Sequence, residues 1–228
     1  MGIIKLNANT PRIRGVLFDM DGVVIDTEKL YTRFWMEAAH FYGFPMTREQ
    51  ALGMRSLGGK EAQAQLHSYF GSSADYFAIR AKRIALMSAY IEENGVELKA
   101  GINELLDYLR ANGIACAITS SAALSTIRAH LGSVGIADRF QALCSGKEVP
   151  NGKPAPDIYL HGATVLGLPP AECLAIEDSP AGIESACRAG CFPVMIPDQD
   201  QPTADTLTMC FAKADSLLDV IGLLESLK

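Results

Sequence analysis

Residues 15–22 read Gly-Val-Leu-Phe-Asp-Met-Asp-Gly, a short apolar run followed at once by Asp19 and Asp21. The run lacks the alternation of a half-exposed strand, so it predicts a strand that is buried on both faces of a sheet. In an open parallel sheet, ligands bind beyond the carboxyl ends of the strands. The stretch therefore predicts two carboxylates at the edge of the sheet where a ligand cleft is expected.

Short apolar runs of this kind recur along the chain and alternate with helical patterns. The runs predict strands at residues 13–18, 114–119, 142–144, 173–176 and 192–196. The patterns between them predict helices at residues 102–112, 124–133, 156–166 and 181–189. Three of these helices precede glycines suited to C-terminal caps, namely Gly113, Gly167 and Gly190. The alternation predicts an α/β fold, a doubly wound parallel sheet with right-handed crossovers.

Residues 30–99 interrupt this alternation and contain no buried-strand run. Helical patterns cover residues 31–42, 60–70 and 76–94. We therefore expect a small α-helical cap domain at residues 30–99, inserted into a core domain that consists of residues 1–29 and 100–228.

The composition excludes several classes of protein. The 228 residues carry 20 Lys+Arg against 26 Asp+Glu, a formal net charge of −6, whereas a nucleic-acid binder usually has a basic surplus. The longest uncharged stretch is too short and too polar to span a membrane. The six cysteines form no C-x-x-C pair, and no secretory leader pattern is present at the start. We expect a reduced, soluble, cytoplasmic monomer that binds neither nucleic acid nor membrane.

Acidic residues also follow the predicted strand at 173–176, namely Glu177 and Asp178. The carboxyl ends of parallel strands meet at one edge of a sheet, so the acidic residues after both strands are expected to converge. Four converging carboxylates repel one another unless a cation lies between them, and oxygen ligands of this kind suit Mg²⁺. Alternatively, Asp19 and Asp26 only cap turns or a helix start. Capping would readily explain one acidic strand end, but it explains two acidic strand ends in one sheet less well.

Two further strand ends offer groups that could bind an anion. Thr119 and Ser120 end a predicted strand, so their hydroxyls and the N–H groups of the next helix start face the same edge. Alternatively, these residues form an N-cap box for that helix. Lys153 lies in Asn-Gly-Lys-Pro-Ala-Pro, a loop fixed by prolines, so we expect it rather than Lys147 to neutralise phosphate charge.

These parts are the ones that phosphoryl transfer requires: a metal site, a cation and a positioned nucleophile. Asp19 is suited to attack phosphorus and form an aspartyl-phosphate. Asp21 is suited to protonate the leaving alkoxide and then to take a proton from the attacking water.

Together, the four motifs and their order resemble those of the haloacid dehalogenase superfamily over the whole chain, including a helical cap after the first motif. They are Asp19-x-Asp21-Gly, Thr119 at a strand end, Lys153-Pro, and Glu177-Asp-Ser-x-x-Gly182. The resemblance implies that Asp19 is the nucleophile and Asp21 the acid/base. It also implies phosphoryl binding by Thr119 and Lys153, to which we add Ser120, and a Mg²⁺ site formed by Asp19, the Asp21 carbonyl, Glu177 and Asp178.

The residues around the motifs are also similar to those of one branch of this superfamily, which contains sugar-phosphate phosphatases, pseudouridine-phosphate phosphatases and β-phosphoglucomutases. Mutases of this branch carry a His four residues after the Thr that corresponds to Thr27, where this chain has Tyr31. We therefore expect a Mg²⁺-dependent phosphatase of small phosphorylated metabolites, chiefly sugar phosphates. A phosphomutase and a non-catalytic phosphometabolite-binding protein are the alternatives.

Two cap residues are candidates for substrate contact. Arg55 lies in a predicted loop between cap helices, and Tyr31 lies near the predicted hinge. A solvated arginine on a turn and a tyrosine packed on a helix face are the alternative roles.

Overall fold

The structure, a computed structural model, describes residues 4–5, 12–54, 57, 59–198 and 201–228. Its strands are β1 (Ile4–Lys5), β2 (Gly15–Phe18), β3 (Ala115–Ser120), β4 (Ala142–Ser145), β5 (Cys173–Glu177), β6 (Phe192–Met195) and β7 (Ala212–Lys213). Its α-helices are α1 (Glu28–Phe41), α2 (Arg48–Leu52), α3 (Gly59–Phe70), α4 (Tyr76–Asn94), α5 (Ile102–Ala111), α6 (Leu124–Ser133), α7 (Asp157–Val165), α8 (Pro180–Arg188), α9 (Ala204–Met209) and α10 (Leu217–Ser226).

The strands of the described chain form one sheet with the spatial order β1-β7-β6-β5-β2-β3-β4. Strands β2 to β7 are parallel, and β1 runs antiparallel to β7. The α/β fold with a doubly wound parallel sheet is thereby confirmed. Strands β1 and β7 were not predicted, because two-residue strands carry no readable periodicity.

The register of the central strands brings the sequence motifs side by side. Strand β2 lies between β3 and β5, and its last residue, Phe18, is aligned with Ile118 and Ile176. The residues that follow these three are Asp19, Thr119 and Glu177. The carboxyl edge of the sheet therefore presents one polar residue from each motif-bearing strand in a single row.

Helices cover both faces of the sheet. Every residue of β2 is buried, and successive side chains of a strand point to opposite faces. Phe18 packs into a large apolar cluster that includes residues of α5, α6 and α10, whereas Leu17 packs into a second cluster with residues of α7. The strands are thus buried on both sides, as the apolar runs predicted.

Glycines end three of the core helices. Gly113, Gly167 and Gly190 follow the last residues of α5, α7 and α8 and have φ angles of +64°, +67° and +82°. Residues with a β-carbon rarely adopt this left-handed region, which suits the position just beyond a helix. The predicted C-terminal caps are confirmed.

The chain divides into two compact units, Met1–Asp26 with Val96–Lys228, and Thr27–Gly95. The second unit contains α1 to α4 and an apolar cluster of its own, in which Trp35 stacks on Tyr76 with ring centroids 5.9 Å apart. The insertion expected at residues 30–99 thus begins and ends a few residues later than this unit. Across the described helices, none is both long and apolar enough to cross a membrane.

Candidate active site

Asp19 is the first residue after β2, and its backbone N–H donates to the Ile176 carbonyl of β5 at 2.9 Å. The residue is 8 % exposed. The chain then turns sharply at Gly22, where φ is +82° and a β-carbon would collide with the Asp178 carboxylate. Glycine at this position therefore lets the first acidic motif approach the second one closely.

Lys153 reaches the same place from the loop between β4 and α7. Its Nζ donates to Asp19 Oδ1 at 2.5 Å and to Glu177 Oε1 at 2.5 Å. The loop is anchored because Asn151 donates to Asp157 and the Ala155 carbonyl accepts a hydrogen bond from Ser185. The structure thus brings Lys153 to the carboxylates.

Lys147, the competing lysine, is exposed. It contributes a backbone N–H to Ser145. The two lysines therefore lie in different surroundings, one buried among acids and the other in solvent.

Glu177 is held at both carboxylate oxygens. Oε1 accepts from Lys153 Nζ and from the Tyr159 hydroxyl at 2.6 Å, and Oε2 accepts from Ser179 Oγ at 3.1 Å. Gly182, on the first turn of α8, faces this carboxylate, and a β-carbon there would overlap it. The Glu-Asp-Ser-x-x-Gly motif is thus explained locally, since its serine caps α8 and its glycine leaves room for the glutamate.

Thr119 and Ser120 lie at the end of β3 and are buried. Thr119 Oγ1 donates to the Phe18 carbonyl at 3.2 Å, and Ser120 Oγ accepts from the Ala122 N–H at 3.1 Å. The N-cap residue of α6 is Ala123, which makes no side-chain cap. The alternative in which these hydroxyls cap α6 is therefore wrong, and Thr119 lies beside Asp19 through the register of β2 and β3.

Three acidic side chains of the described chain form one group that could hold a metal ion. Each of Asp19, Glu177 and Asp178 has a carboxylate oxygen within 4.8 Å of the others, and all three residues are buried. Three buried carboxylates beside Lys153 leave an excess of negative charge, which a divalent cation would balance. The residues present therefore fit a hard cation such as Mg²⁺. The Asp21 carboxylate does not belong to this group, and Asp21 is half-buried.

The charges of the site shift the pKa values of its members. Burial raises the pKa of Asp19 to about 7, with Lys153 opposing the rise and Glu177 and Asp21 adding to it. Burial alone would lower the pKa of Lys153, but Asp19 and Glu177 together raise it above its ordinary value. Lys153 is therefore a permanent cation at neutral pH, and a second positive charge near Asp19 would favour its ionised form.

Of the two cap residues that were candidates for substrate contact, the structure describes one. Arg55 lies outside the described residues. Tyr31 is on α1, where its N–H donates to the Thr27 carbonyl and its ring lies 4.5 Å from the Arg83 guanidinium carbon. Both roles weighed for Tyr31, contact with the substrate and packing on a helix face, stay predictions.

Tyr159 contacts the site but was not singled out from the sequence. It is on α7 and fully buried. Its position in that helix is equally compatible with an apolar core residue, and its partner Glu177 is 18 residues away. Only the fold reveals that the hydroxyl reaches a carboxylate.

Comparison with known proteins places the chain in a family. The family model described as haloacid dehalogenase-like hydrolase matches residues 13–190. Protein CbbY of Rhodobacter capsulatus is 34 % identical over 196 residues, which cover 82 % of this chain and 86 % of that protein. Hexitol phosphatase A of Escherichia coli K12 is 34 % identical over 186 residues, covering 81 % of this chain and 83 % of that protein.

A solved structure agrees in fold. The crystal structure of a putative β-phosphoglucomutase from Thermotoga maritima superimposes with a TM-score of 0.78 at 24 % identity, covering 94 % of this chain and 99 % of that one. Since the family model spans all four motifs and two relatives exceed 30 % identity over most of their length, the chain belongs to the haloacid dehalogenase-like hydrolases.

Proposed function

We propose that this hydrolase is a Mg²⁺-dependent phosphatase of small phosphorylated metabolites, chiefly sugar phosphates, and that Asp19 carries the phosphoryl group between the two half-reactions. The observation that carries the proposal is the buried contact of Lys153 with Asp19 and Glu177 at the carboxyl edge of the sheet. The name of a relative, hexitol phosphatase A, supports a phosphorylated sugar alcohol or sugar as the class of substrate.

In the first half-reaction, an Asp19 carboxylate oxygen attacks phosphorus. The bond between phosphorus and the leaving alkoxide breaks, and Asp21 gives its proton to that alkoxide. In the second half-reaction, water attacks the phosphorus of the aspartyl-phosphate, the bond between phosphorus and the Asp19 oxygen breaks, and Asp21 takes the proton of the water. Inorganic phosphate leaves, and the Asp19 carboxylate is restored.

Three other groups would bind and orient the phosphoryl oxygens. Lys153 places a buried positive charge beside Asp19, where negative charge develops during transfer. We assign the Thr119 and Ser120 hydroxyls to the same oxygens because their strand ends next to β2. Such groups are effective because they are already oriented before the reaction begins.

We assign the metal to Asp19, the Asp21 carbonyl, Glu177 and Asp178. The chemistry that bound Mg²⁺ supplies is neutralisation of charge on the transferring phosphoryl group. The ion would also favour the ionised form of the nucleophile, because burial without a divalent cation favours the protonated form of Asp19.

The test is a panel of phosphorylated metabolites, including hexitol and hexose phosphates, assayed for release of inorganic phosphate with Mg²⁺ and with a chelator. We expect Mg²⁺-dependent release by the wild type and none by Asp19→Asn. A coupled assay for glucose 6-phosphate, started with β-glucose 1-phosphate, examines the mutase alternative. Conversion as fast as phosphate release would overturn hydrolysis as the main reaction. Binding of metabolites without turnover by the wild type would instead support a non-catalytic binding protein.

A further inference from the structure

Tyr159 is the last residue in a chain of hydrogen bonds that runs from Asp19 through Lys153 and Glu177. Its hydroxyl lies 2.6 Å from Glu177 Oε1, the same oxygen that accepts from Lys153 Nζ. Lys153 Nζ also lies 5.2 Å from the centroid of the Tyr159 ring. The tyrosine therefore contacts both members of the Lys153–Glu177 ion pair, through its hydroxyl and through its ring.

The hydroxyl acts as a donor to the carboxylate. The Tyr159 hydroxyl lies 2.6 Å from Glu177 Oε1, and a carboxylate oxygen accepts, so the hydroxyl is the donor. Hydrogen bonds from a hydroxyl to a carboxylate are shorter and stronger than those between two neutral groups.

The position of the hydroxyl is set by the close approach of α7 to the sheet. Gly162, three residues after Tyr159 on α7, packs on β2 and β3, and a β-carbon there would lie 2.6 Å from Thr119 Cγ2. This approach buries Tyr159 between the helix and the strand ends. A phenylalanine would fill the same apolar volume, so packing alone does not require the hydroxyl.

The hydroxyl completes the orientation of the Glu177 carboxylate. One oxygen of Glu177 is held by Tyr159 and Lys153, and the other by Ser179. With both oxygens held, the carboxylate plane is fixed and Lys153 is directed toward Asp19. A shift of an ångström in a group that contacts the transferring phosphoryl is enough to slow catalysis considerably.

We propose that Tyr159 is a positioning residue for phosphoryl transfer: its hydroxyl fixes Glu177, which holds Lys153 against Asp19. The proposal rests on the phosphatase function proposed above. It gives Glu177 a second role, the orientation of Lys153, beside the metal binding assigned to it above, and the experiment measures the two roles separately.

The experiment compares Tyr159→Phe with the wild type and with Tyr108→Phe. Tyr108 is a matched control because its hydroxyl oxygen is buried and has no hydrogen-bond partner among the described residues. Each protein is assayed for kcat and KM. Calorimetry measures the Kd of Mg²⁺ alone and the Kd of inorganic phosphate with Mg²⁺ present. Urea unfolding reports whether each variant is folded under the assay conditions.

For Tyr159→Phe we expect kcat to fall about tenfold, since hydrogen bonds to charged groups contribute about that much or more. The Kd of Mg²⁺ should stay within about twofold of the wild type, whereas KM and the Kd of inorganic phosphate should rise by no more than about the factor by which kcat falls. Tyr108→Phe should match the wild type in all four quantities. This pattern separates positioning of Lys153 from loss of stability, which would leave kcat of the folded fraction unchanged.

Two results would overturn the proposal. One is a Tyr159→Phe enzyme with wild-type kcat and phosphate affinity. The other is a Tyr159→Phe enzyme whose Mg²⁺ Kd rises tenfold and whose kcat recovers in excess Mg²⁺, because the Tyr159 hydroxyl would then act on the metal site and not on Lys153. If the wild type hydrolyses no metabolite of the panel but phosphate still binds more weakly to Tyr159→Phe, the proposed function fails and the positioning role stands.

Discussion

Each of the two units buries a cation, and the two cations have different surroundings. Lys153, in the unit that contains the sheet, pairs with the carboxylates of Asp19 and Glu177. Arg83, on α4 of the helical unit, lies over the rings of Tyr31 and Trp35 at 4.5 and 5.3 Å and has no ion pair among the described residues.

The difference separates a cation held by acidic partners from one held by aromatic rings. Burial lowers the pKa of Arg83, whereas the acids around Lys153 more than reverse that effect. A buried charge is costly unless partners compensate it, and aromatic faces compensate less than carboxylates do. The acids around Lys153 in turn depend on it, so we expect removal of the two cations to have very different consequences.

The largest effect is expected at the acidic end of the ion pair. Asp19→Asn keeps the shape of the side chain but removes the proposed nucleophile, so kcat for p-nitrophenyl phosphate should fall by more than about 10³-fold. Urea unfolding should show that the variant is folded. Residual activity within tenfold of the wild type would show that another group attacks phosphorus.

Lys153→Met tests the dependence of the carboxylates on their cation. Without Lys153, buried Asp19 and Glu177 lose their positive partner, and breaking a buried pair in this way costs about 3–5 kcal/mol. We expect a loss of this size in the free energy of unfolding of the metal-free protein, measured by urea titration at pH 9, where Asp19, with its pKa raised to about 7, is ionised in the wild type. A loss below 1 kcal/mol would mean that the acids are not charged together.

Addition of Mg²⁺ should stabilise the wild type. A ligand that binds only the folded state adds about 2.7 kcal/mol at 100 times its Kd, which thermal unfolding detects as a rise in Tm. Asp178→Asn, which removes one carboxylate of the group, should show a smaller rise at the same concentration. Equal rises in both proteins would place the ion elsewhere.

The smallest effect is expected for Arg83→Met. The variant loses two cation–π contacts of roughly 1 kcal/mol each but also removes a buried charge, so the net cost should be about 1 kcal/mol. Urea titration beside Lys153→Met gives the direct comparison. A cost as large as that of Lys153→Met would show that Arg83 has an acidic partner and that the two cations are alike.

Much of the fold followed from local sequence patterns. The buried strands were visible as apolar runs, and their order predicted that acidic strand ends would meet at one edge. Short elements were not predicted, because they contain too few residues to show a periodic pattern. Helix α2 spans five residues and begins with a capping box at Thr47, and β7 spans two residues. α10 was missed although its apolar pattern is ten residues long.

The contacts within the site were harder to predict than its members. Asp19, Lys153 and Glu177 were named from their strand ends, but the sequence does not show that one glutamate oxygen accepts from both Lys153 and Tyr159. Such contacts join residues far apart in the chain, and they depend on how closely α7 packs on the sheet. The burial of Arg83 was missed for a different reason, because a charged residue on a helix is usually exposed to solvent.

The central claim, that Asp19 carries the phosphoryl group, is tested most directly by acid quenching of the enzyme during turnover and mass analysis of its peptides. We expect a phosphoryl group on the peptide that contains Asp19, present with substrate and Mg²⁺ and absent from Asp19→Asn. A phosphoryl group on a different residue, or undiminished turnover by Asp19→Asn, would contradict the account.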